Sequence, residues 1–233
     1  MLEKLKKDVL NANLMLVKYG LVILTWGNVS GIDRESGLVV IKPSGVDYAE
    51  LRPEDMVVVD LNGKTVEGTL RPSSDTPTHI ELYKAFPDIG GVAHAHSTYA
   101  TAFSQAMKSI IPLGTTHADC FYGQIPVTRK LTQNEIDTEY EKNTGIAIVD
   151  TFEKDHLSYK ACPAALVAMH APFTWGDSPK KAVENAYVLE KVAEMNVISF
   201  CISEKTRSDP MDKALIDKHY FRKHGKNAYY GQN

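Results

Sequence analysis

The chain is short of cysteine, of net charge and of long apolar runs, and each shortage excludes something. Its three cysteines, Cys120, Cys162 and Cys201, are odd in number, widely spaced and form no C-x-x-C pair. That pattern speaks against a disulfide framework and suits reduced thiols. No uninterrupted apolar run approaches the ~20 residues that a bilayer-spanning helix requires. The opening Met1-Leu-Glu-Lys-Leu-Lys-Lys7 scatters charge through an amphipathic pattern and has no apolar core of the signal-peptide kind. The expectation is a cytoplasmic protein with no membrane partner. Basic excess is missing too: 26 Lys and Arg stand against 29 Asp and Glu, a formal charge of −3. The densest basic stretch, Lys218, Arg222, Lys223 and Lys226, is spread along a helical C-terminus and broken by His and aromatic residues. A nucleic-acid partner is therefore not expected.

With 43% hydrophobic and 24% charged residues, the composition is that of a folded globular chain. No repeat, low-complexity segment or linker divides it, so residues 1–233 are expected to form a single α/β domain. At this length a full core can be buried without structural metal, which leaves any metal free to serve function.

Periodicity places the elements. Leu2, Leu5, Val9, Ala12 and Leu16 recur at helical spacing and Gly20 stands where a left-handed cap belongs. Residues 28–32, 38–42 and 56–60 read as strands, and Asn62-Gly63 before Thr65-Val66 is the strongest hairpin signal. A helix opens at Asp75-Thr-Pro77, the segment 92–96 reads as a strand, and a helix follows from Thr98 to Met107. The segment Ala164–His170 reads as a buried strand ending at a histidine, Ser178-Pro179 starts a helix, and a last helix runs from Met211 to Lys223. Early hairpins with helices throughout predict a three-layer α/β/α architecture around a mixed, largely antiparallel sheet.

His94-Ala95-His96 carries the sharpest chemical signal. Two-residue alternation on a strand sends both imidazoles to one face, with Cα atoms about 6.5–7 Å apart, close enough for both to reach one ion at ~2.0–2.1 Å. His170 ends a second apolar strand, and Asp75 opens a helix. Three histidines with a vacant fourth position describe a catalytic zinc; the competing reading of each is an ordinary buried or surface histidine. His79 and His156 take that plain reading, and His117, beside Asp119, stays open.

Two loops have the character of anion sites. Lys42-Pro-Ser44-Gly45 ends a strand and Ser73-Ser74-Asp75 opens a helix, where free N–H groups and hydroxyls meet phosphate. Lys42 would supply charge and Gly45 a close backbone approach. Plain turns and caps account for each loop taken separately; with Gly27-Asn28 they suit a phosphorylated small molecule. Asp119, in a stretch from Thr115 that reads as an open polar loop, is either a proton shuttle or a turn residue. Glu141 reads either as a site carboxylate or as part of an exposed helix face. His219 and Arg222 share one helix face suited to a polar ligand, and a tyrosine in the Tyr229-Tyr230 pair would need a nearby cation or metal to act near neutrality. Trp26 and Trp175 read as core or pocket wall.

Six blocks in colinear order carry a resemblance: Leu24-Thr-Trp-Gly-Asn-Val-Ser30, Ile41-Lys-Pro-Ser-Gly-Val46, Pro72-Ser-Ser-Asp-Thr-Pro77, His94-Ala-His96-Ser97, Gly114-Thr-Thr-His-Ala-Asp119, and Arg222-Lys-His-Gly225 with Tyr229-Tyr-Gly-Gln232. The chain resembles the class II aldolase/adducin-like family, on its sugar-phosphate 4-epimerase side. The resemblance implies a zinc enzyme, one Zn2+ per subunit, that interconverts L-ribulose 5-phosphate and D-xylulose 5-phosphate by breaking and remaking the C3–C4 bond, in a homotetramer with interfacial active sites. By matched position the metal site would be His94, His96 and His170 with Asp75. The substrate pocket would be Gly27, Asn28, Lys42, Ser44, Gly45, Ser73 and Ser74, with Thr115 and Glu141 beside it. Asp119 and Tyr230 would be the acid–base pair, and His219 and Arg222 would support them. Two residues depart from the family's habit: Ala171 stands where glycine is usual and Cys120 where an aromatic is usual. The nearest alternative is a class II sugar-phosphate aldolase of the fuculose-1-phosphate kind, which releases the aldehyde; such relatives generally carry Glu where Asp75 stands. A catalytically silent interaction module is the alternative of another class.

Overall fold

The computed structural model describes residues 2–203, 209–226 and 228–231, so Gln232 of the terminal motif lies outside the described residues. Helix α1 (Glu3–Lys18) buries Val9, Ala12 and Leu16, and Gly20 follows it at φ +68°. Strands β1 (Asn28–Asp33), β2 (Leu38–Ile41), β3 (Val57–Val59) and β4 (Thr65–Glu67) form a meander. Then come α2 (Thr76–Ala85), β5 (Gly91–His94), α3 (Thr98–Ala106) and the short α4 (Thr115–Ala118) and α5 (Gln133–Asp137). Helix α6 (Tyr140–Lys154), the hairpin β6 (Ala164–Leu166) and β7 (Pro172–Gly176), and helices α7 (Pro179–Ile202) and α8 (Lys213–Phe221) complete the order.

Among the described residues, seven strands make one open sheet in the order β4-β3-β2-β1-β5-β7-β6. All six strand pairs are antiparallel, and the mixed character expected of the sheet reduces to one isolated parallel bridge, Val127 to Leu166. Strand alternation sorts the core into two faces. Val29 and Ala93, with Val40 and Val58, pack against α1 and α7. Ile32, Val39, Val57, Val59 and Val92 pack on the other side, with α2 and the Phe152 end of α6. Gly31 allows the first layer to close: a Cβ there would stand 2.8 Å from both Leu5 Cδ1 and Pro179 Cγ, so α1 and α7 approach over bare backbone.

Three local expectations are corrected. Strand β5 stops at His94, so His96 lies in the link to α3 rather than on the strand. Ala164–His170 is not one strand: the chain turns after Leu166, Met169 takes φ +61°, and His170 sits in the β6–β7 connection. Small apolar residues fill that turn, which is why it reads as strand. Residues 115–118 form a helical turn rather than an open loop, and Asp119 caps it. No described helix is long and apolar enough to cross a membrane.

Candidate metal centre and active site

The end of β5 and the β6–β7 turn lie side by side in the sheet and bring three imidazoles together, with the entry to β1 on the other flank of β5. His94 is 2% exposed, and its Nδ1 lies 2.9 Å from the Pro172 carbonyl. A carbonyl only accepts, so Nδ1 donates and the Nε2 lone pair is left for the cluster. The ring centroids of His94, His96 and His170 are 5.0 Å apart in all three pairs. Tetrahedral ligation at ~2.0–2.1 Å from each nitrogen would separate the centroids by about 5.2 Å. One ligand nitrogen from each ring lies within 4.8 Å of the others. Burial lowers the pKa of His170 to about 3, with His94 and His96 adding to the shift, and burial and His94 lower that of His96. Near neutrality these two rings are uncharged, as ligands must be.

Asp75, at the start of α2, approaches the same point: its Oδ2 lies 4.0 Å from His94 Nε2 and accepts from Asn28 Nδ2 at 2.6 Å. Burial opposes ionisation of Asp75, yet the surrounding His94 and His79 and the Asn28 hydrogen bond hold its pKa below the ordinary carboxylate value. Asn28 Oδ1 is buried without a hydrogen-bond partner among the described residues. Buried amide oxygens are rarely left so, and this one is available to a ligand hydroxyl. The donor set fits a divalent metal with a carboxylate beside it.

The two anion-type loops meet. Ser44 N–H donates to the Arg71 carbonyl at 2.9 Å, and Ser73 N–H donates to the Lys42 carbonyl at 3.0 Å. A cavity of about 570 Å3 lies between these loops and the histidines. Gly27, Asn28, Lys42, Ser44 and Gly45 line it on one side, and Ser73, Ser74 and Asp75 on another. Lys42 is 2% exposed, and burial brings its ammonium down to about 8, with Asp47 opposing the fall. Gly27, at φ +126°, could not carry a side chain without crowding: a Cβ would stand 3.1 Å from the His94 carbonyl. Gly45 takes φ +71° with nothing within 4 Å of a Cβ, so backbone conformation rather than space favours glycine there.

Glu141 reaches this cavity on the first turn of α6, and Tyr140 and Trp26 join it. Tyr140 is not singled out by the sequence; its hydroxyl lies 3.5 Å from His170 Nδ1. The available signal is its place beside Glu141. Trp175 is core, while Trp26 is half exposed and forms pocket wall.

The remaining candidates gather elsewhere. Asp119 accepts from Arg222 Nε at 3.1 Å and Nη2 at 2.7 Å, and lies 3.0 Å from both His219 Nδ1 and Lys223 Nζ. Burial opposes this, but the bonds from Arg222, Lys223 and His219 prevail and bring the Asp119 carboxyl to about 2. Asp119, Cys120, Lys223 and Tyr230 line a second cavity of about 500 Å3 that shares no residue with the first. Tyr230 is 63% exposed, with the Arg222 and Lys223 cations 5.1 and 4.3 Å from its ring centre. Thr115 stands at the start of α4 and does not line the histidine cavity either. Within one chain, then, Thr115, Asp119, His219, Arg222 and Tyr230 are not brought to the histidines.

Of the other histidines, His79 is fully buried against Ser30 Oγ at 2.7 Å, His117 is buried with its Nε2 2.7 Å from the Gly123 carbonyl, and His156 is exposed. The departure at Ala171 needs no special backbone, because the left-handed residue of that turn is Met169. Cys120 is half-buried, and burial raises its thiol.

Residues 7–197 match the Class II Aldolase and Adducin N-terminal domain. Over 231 residues, 99% of this chain and 100% of theirs, it is 53% identical to proteins named L-ribulose-5-phosphate 4-epimerase UlaF from Salmonella paratyphi B and Salmonella paratyphi C. Among solved structures, an L-fuculose 1-phosphate aldolase superposes at a TM-score of 0.72 with 24% identity, covering 93% of this chain and 94% of that one. That last likeness concerns the fold.

Proposed function

Since this chain belongs to the class II aldolase and adducin family, we propose that it is a zinc-dependent L-ribulose-5-phosphate 4-epimerase that breaks the C3–C4 bond and remakes it on the opposite face of the aldehyde. The observation that carries the reading is the cavity itself, with three mutually equidistant imidazoles on one wall and two interlocked Lys/Ser/Gly loops on another. A sugar phosphate needs both ends.

Carbon 4 of a 2-ketose is not adjacent to the carbonyl, so direct deprotonation there is unfavourable. Retro-aldol cleavage avoids that problem. The C4 hydroxyl gives up its proton, and the C3–C4 electron pair moves toward the C2 carbonyl. The fragments are a dihydroxyacetone enediolate and glycolaldehyde phosphate. A divalent ion held by His94, His96 and His170 beside Asp75 supplies Lewis-acid stabilisation of the negative charge that this cleavage generates. Lys42, Ser44, Ser73 and Ser74 hold the phosphate, so the aldehyde stays bound while its carbonyl turns over. Asn28 Oδ1 accepts from a sugar hydroxyl. Asp119 and Tyr230 exchange the C4 hydroxyl proton from opposite sides. Because neither lines the histidine cavity of its own chain, they act here from a second copy, in a homotetramer with shared sites.

The test is a coupled assay for D-xylulose 5-phosphate formed from L-ribulose 5-phosphate, with and without chelator. Chelator-sensitive, zinc-restored epimerisation with no free glycolaldehyde phosphate is expected. Stoichiometric release of that aldehyde would make the protein an aldolase instead.

A further inference from the structure

Tyr48 neither lines the cavity nor belongs to any of the motifs, yet it touches both sides of the phosphate end. It is 5% exposed, and its hydroxyl donates to the Gly27 carbonyl at 2.7 Å. Burial pushes its phenol pKa up, so it remains a donor across the working pH range. The Lys42 ammonium stands 4.7 Å from the centre of the same ring. Two backbone carbonyls, Val46 at 2.9 Å and Pro43 at 3.3 Å, accept from that ammonium. Its other near neighbour is an aromatic face, which attracts a cation without taking a hydrogen bond. One donor is thereby left for a ligand in the cavity. On the other side, Gly27 is the left-handed residue that delivers Asn28 to the cavity, and its free carbonyl would otherwise be buried unpaired.

We infer that Tyr48 is a positioning residue for the phosphoryl group: its ring sets the direction of the Lys42 ammonium, and its hydroxyl fixes the Gly27-Asn28 turn opposite. The inference rests on the reading of this cavity as a sugar-phosphate site. Tyr48 also packs beside Val9, Leu10 and Met56, and that role alone would alter stability without a preference for phosphate.

The experiment measures the dissociation constant of inorganic phosphate for wild type, Tyr48→Phe and Tyr48→Leu, each also in a Lys42→Met background, with thermal melts to establish folding. Tyr48→Phe keeps the ring and loses the Gly27 bond, so a severalfold weaker affinity is expected in both backgrounds. Tyr48→Leu loses the ring as well, and a further weakening of about tenfold is expected where Lys42 is present but none in the Lys42→Met background. KM for L-ribulose 5-phosphate should rise with the phosphate constant while kcat falls less. If Tyr48→Leu does not fold, Tyr48→Met, closer to a flexible filler, takes its place. Unchanged phosphate affinity in both variants overturns the inference, as does a ring effect that persists without Lys42. The two readings separate cleanly. Epimerisation with phosphate binding indifferent to Tyr48 overturns this inference alone. Tyr48-dependent phosphate binding without epimerisation overturns the function and keeps the inference. A wild type that binds no phosphate overturns this inference, and the epimerisation assay then decides the function separately.

Discussion

Lys42 holds its charge against its surroundings, and that makes its contribution pH-dependent. Burial disfavours the ammonium and brings its pKa from 10.5 to about 8. A phosphate monoester is already dianionic above its second pKa of ~6, so above about pH 8 the change in affinity follows the lysine. With the sign worked through, the charged form dominates below that value and is depleted above it. For the free enzyme, kcat/KM for L-ribulose 5-phosphate should fall severalfold between pH 7.5 and 9.5. Lys42→Met should lower kcat/KM by roughly 10- to 100-fold, the worth of one charge-assisted hydrogen bond, and remove this limb of the profile. A flat wild-type profile would contradict the assignment. At the metal end, His94→Ala should lose bound zinc in equilibrium dialysis even with the fold intact, since a three-imidazole set becomes two. The His94, His96 and His170 set was legible because an H-x-H pair and a third histidine closing another apolar segment suit one ion together, where each alone reads as an ordinary histidine. Tyr140 was not legible: an aromatic on the first turn of a helix looks the same whether it faces a core or a cavity.

Elements were legible where one face is apolar and obscure where small residues fill a turn. Helix α1 and the first three strands announce themselves by period. Ala164–His170 does not, because a hairpin turn made of Val, Ala and Met has the composition of a strand even though Met169 is exposed. The loops at 42–45 and 73–75 were each readable as caps, and only the sheet order brings them within hydrogen-bonding distance. Helix α8 is tied to the end of α4 through Asp119, whose carboxyl drops from 3.8 to about 2 because the bonds from Arg222, Lys223 and His219 outweigh burial. A depressed folded value means that this stabilisation is present above about pH 4 and is lost as pH falls toward about 2. Hydrogen exchange of α8 should therefore accelerate relative to the core across that window, and in Asp119→Asn it should be fast already at pH 5. At the opposite face, Gly31→Ala would drive a methyl into Leu5 and Pro179. Overpacking of this kind costs about 1–3 kcal/mol, readable as a lower denaturation midpoint at unchanged slope.

At the scale of the whole molecule, one chain holds two separate cavities that the proposed reaction would need together. The first is lined by His94, His96 and His170 and by the two Lys/Ser/Gly loops but not by Asp119 or Tyr230, and the second is lined by Asp119 and Tyr230 without those three histidines. Periodicity and motif order do not reveal this, because the colinear order is the same whether the motifs converge within a chain or between chains; only the family resemblance implied interfacial sites. If the sites are shared around a closed ring of identical copies, two inactive variants should rescue each other. His94→Asn lacks a ligand but keeps Asp119, and Asp119→Asn has the reverse defect. In equimolar co-expressed assemblies, a site draws an intact ligand half from one neighbour and an intact acid–base half from the other with probability one-half each, so about a quarter of sites should recover. Purified assemblies containing both variants should thus show about a quarter of wild-type epimerisation, while each variant alone shows almost none. If mixed assemblies form and remain as inactive as the parents, the two halves belong to one chain and must close onto each other by movement of α8 and the tail, and the shared-site reading is wrong.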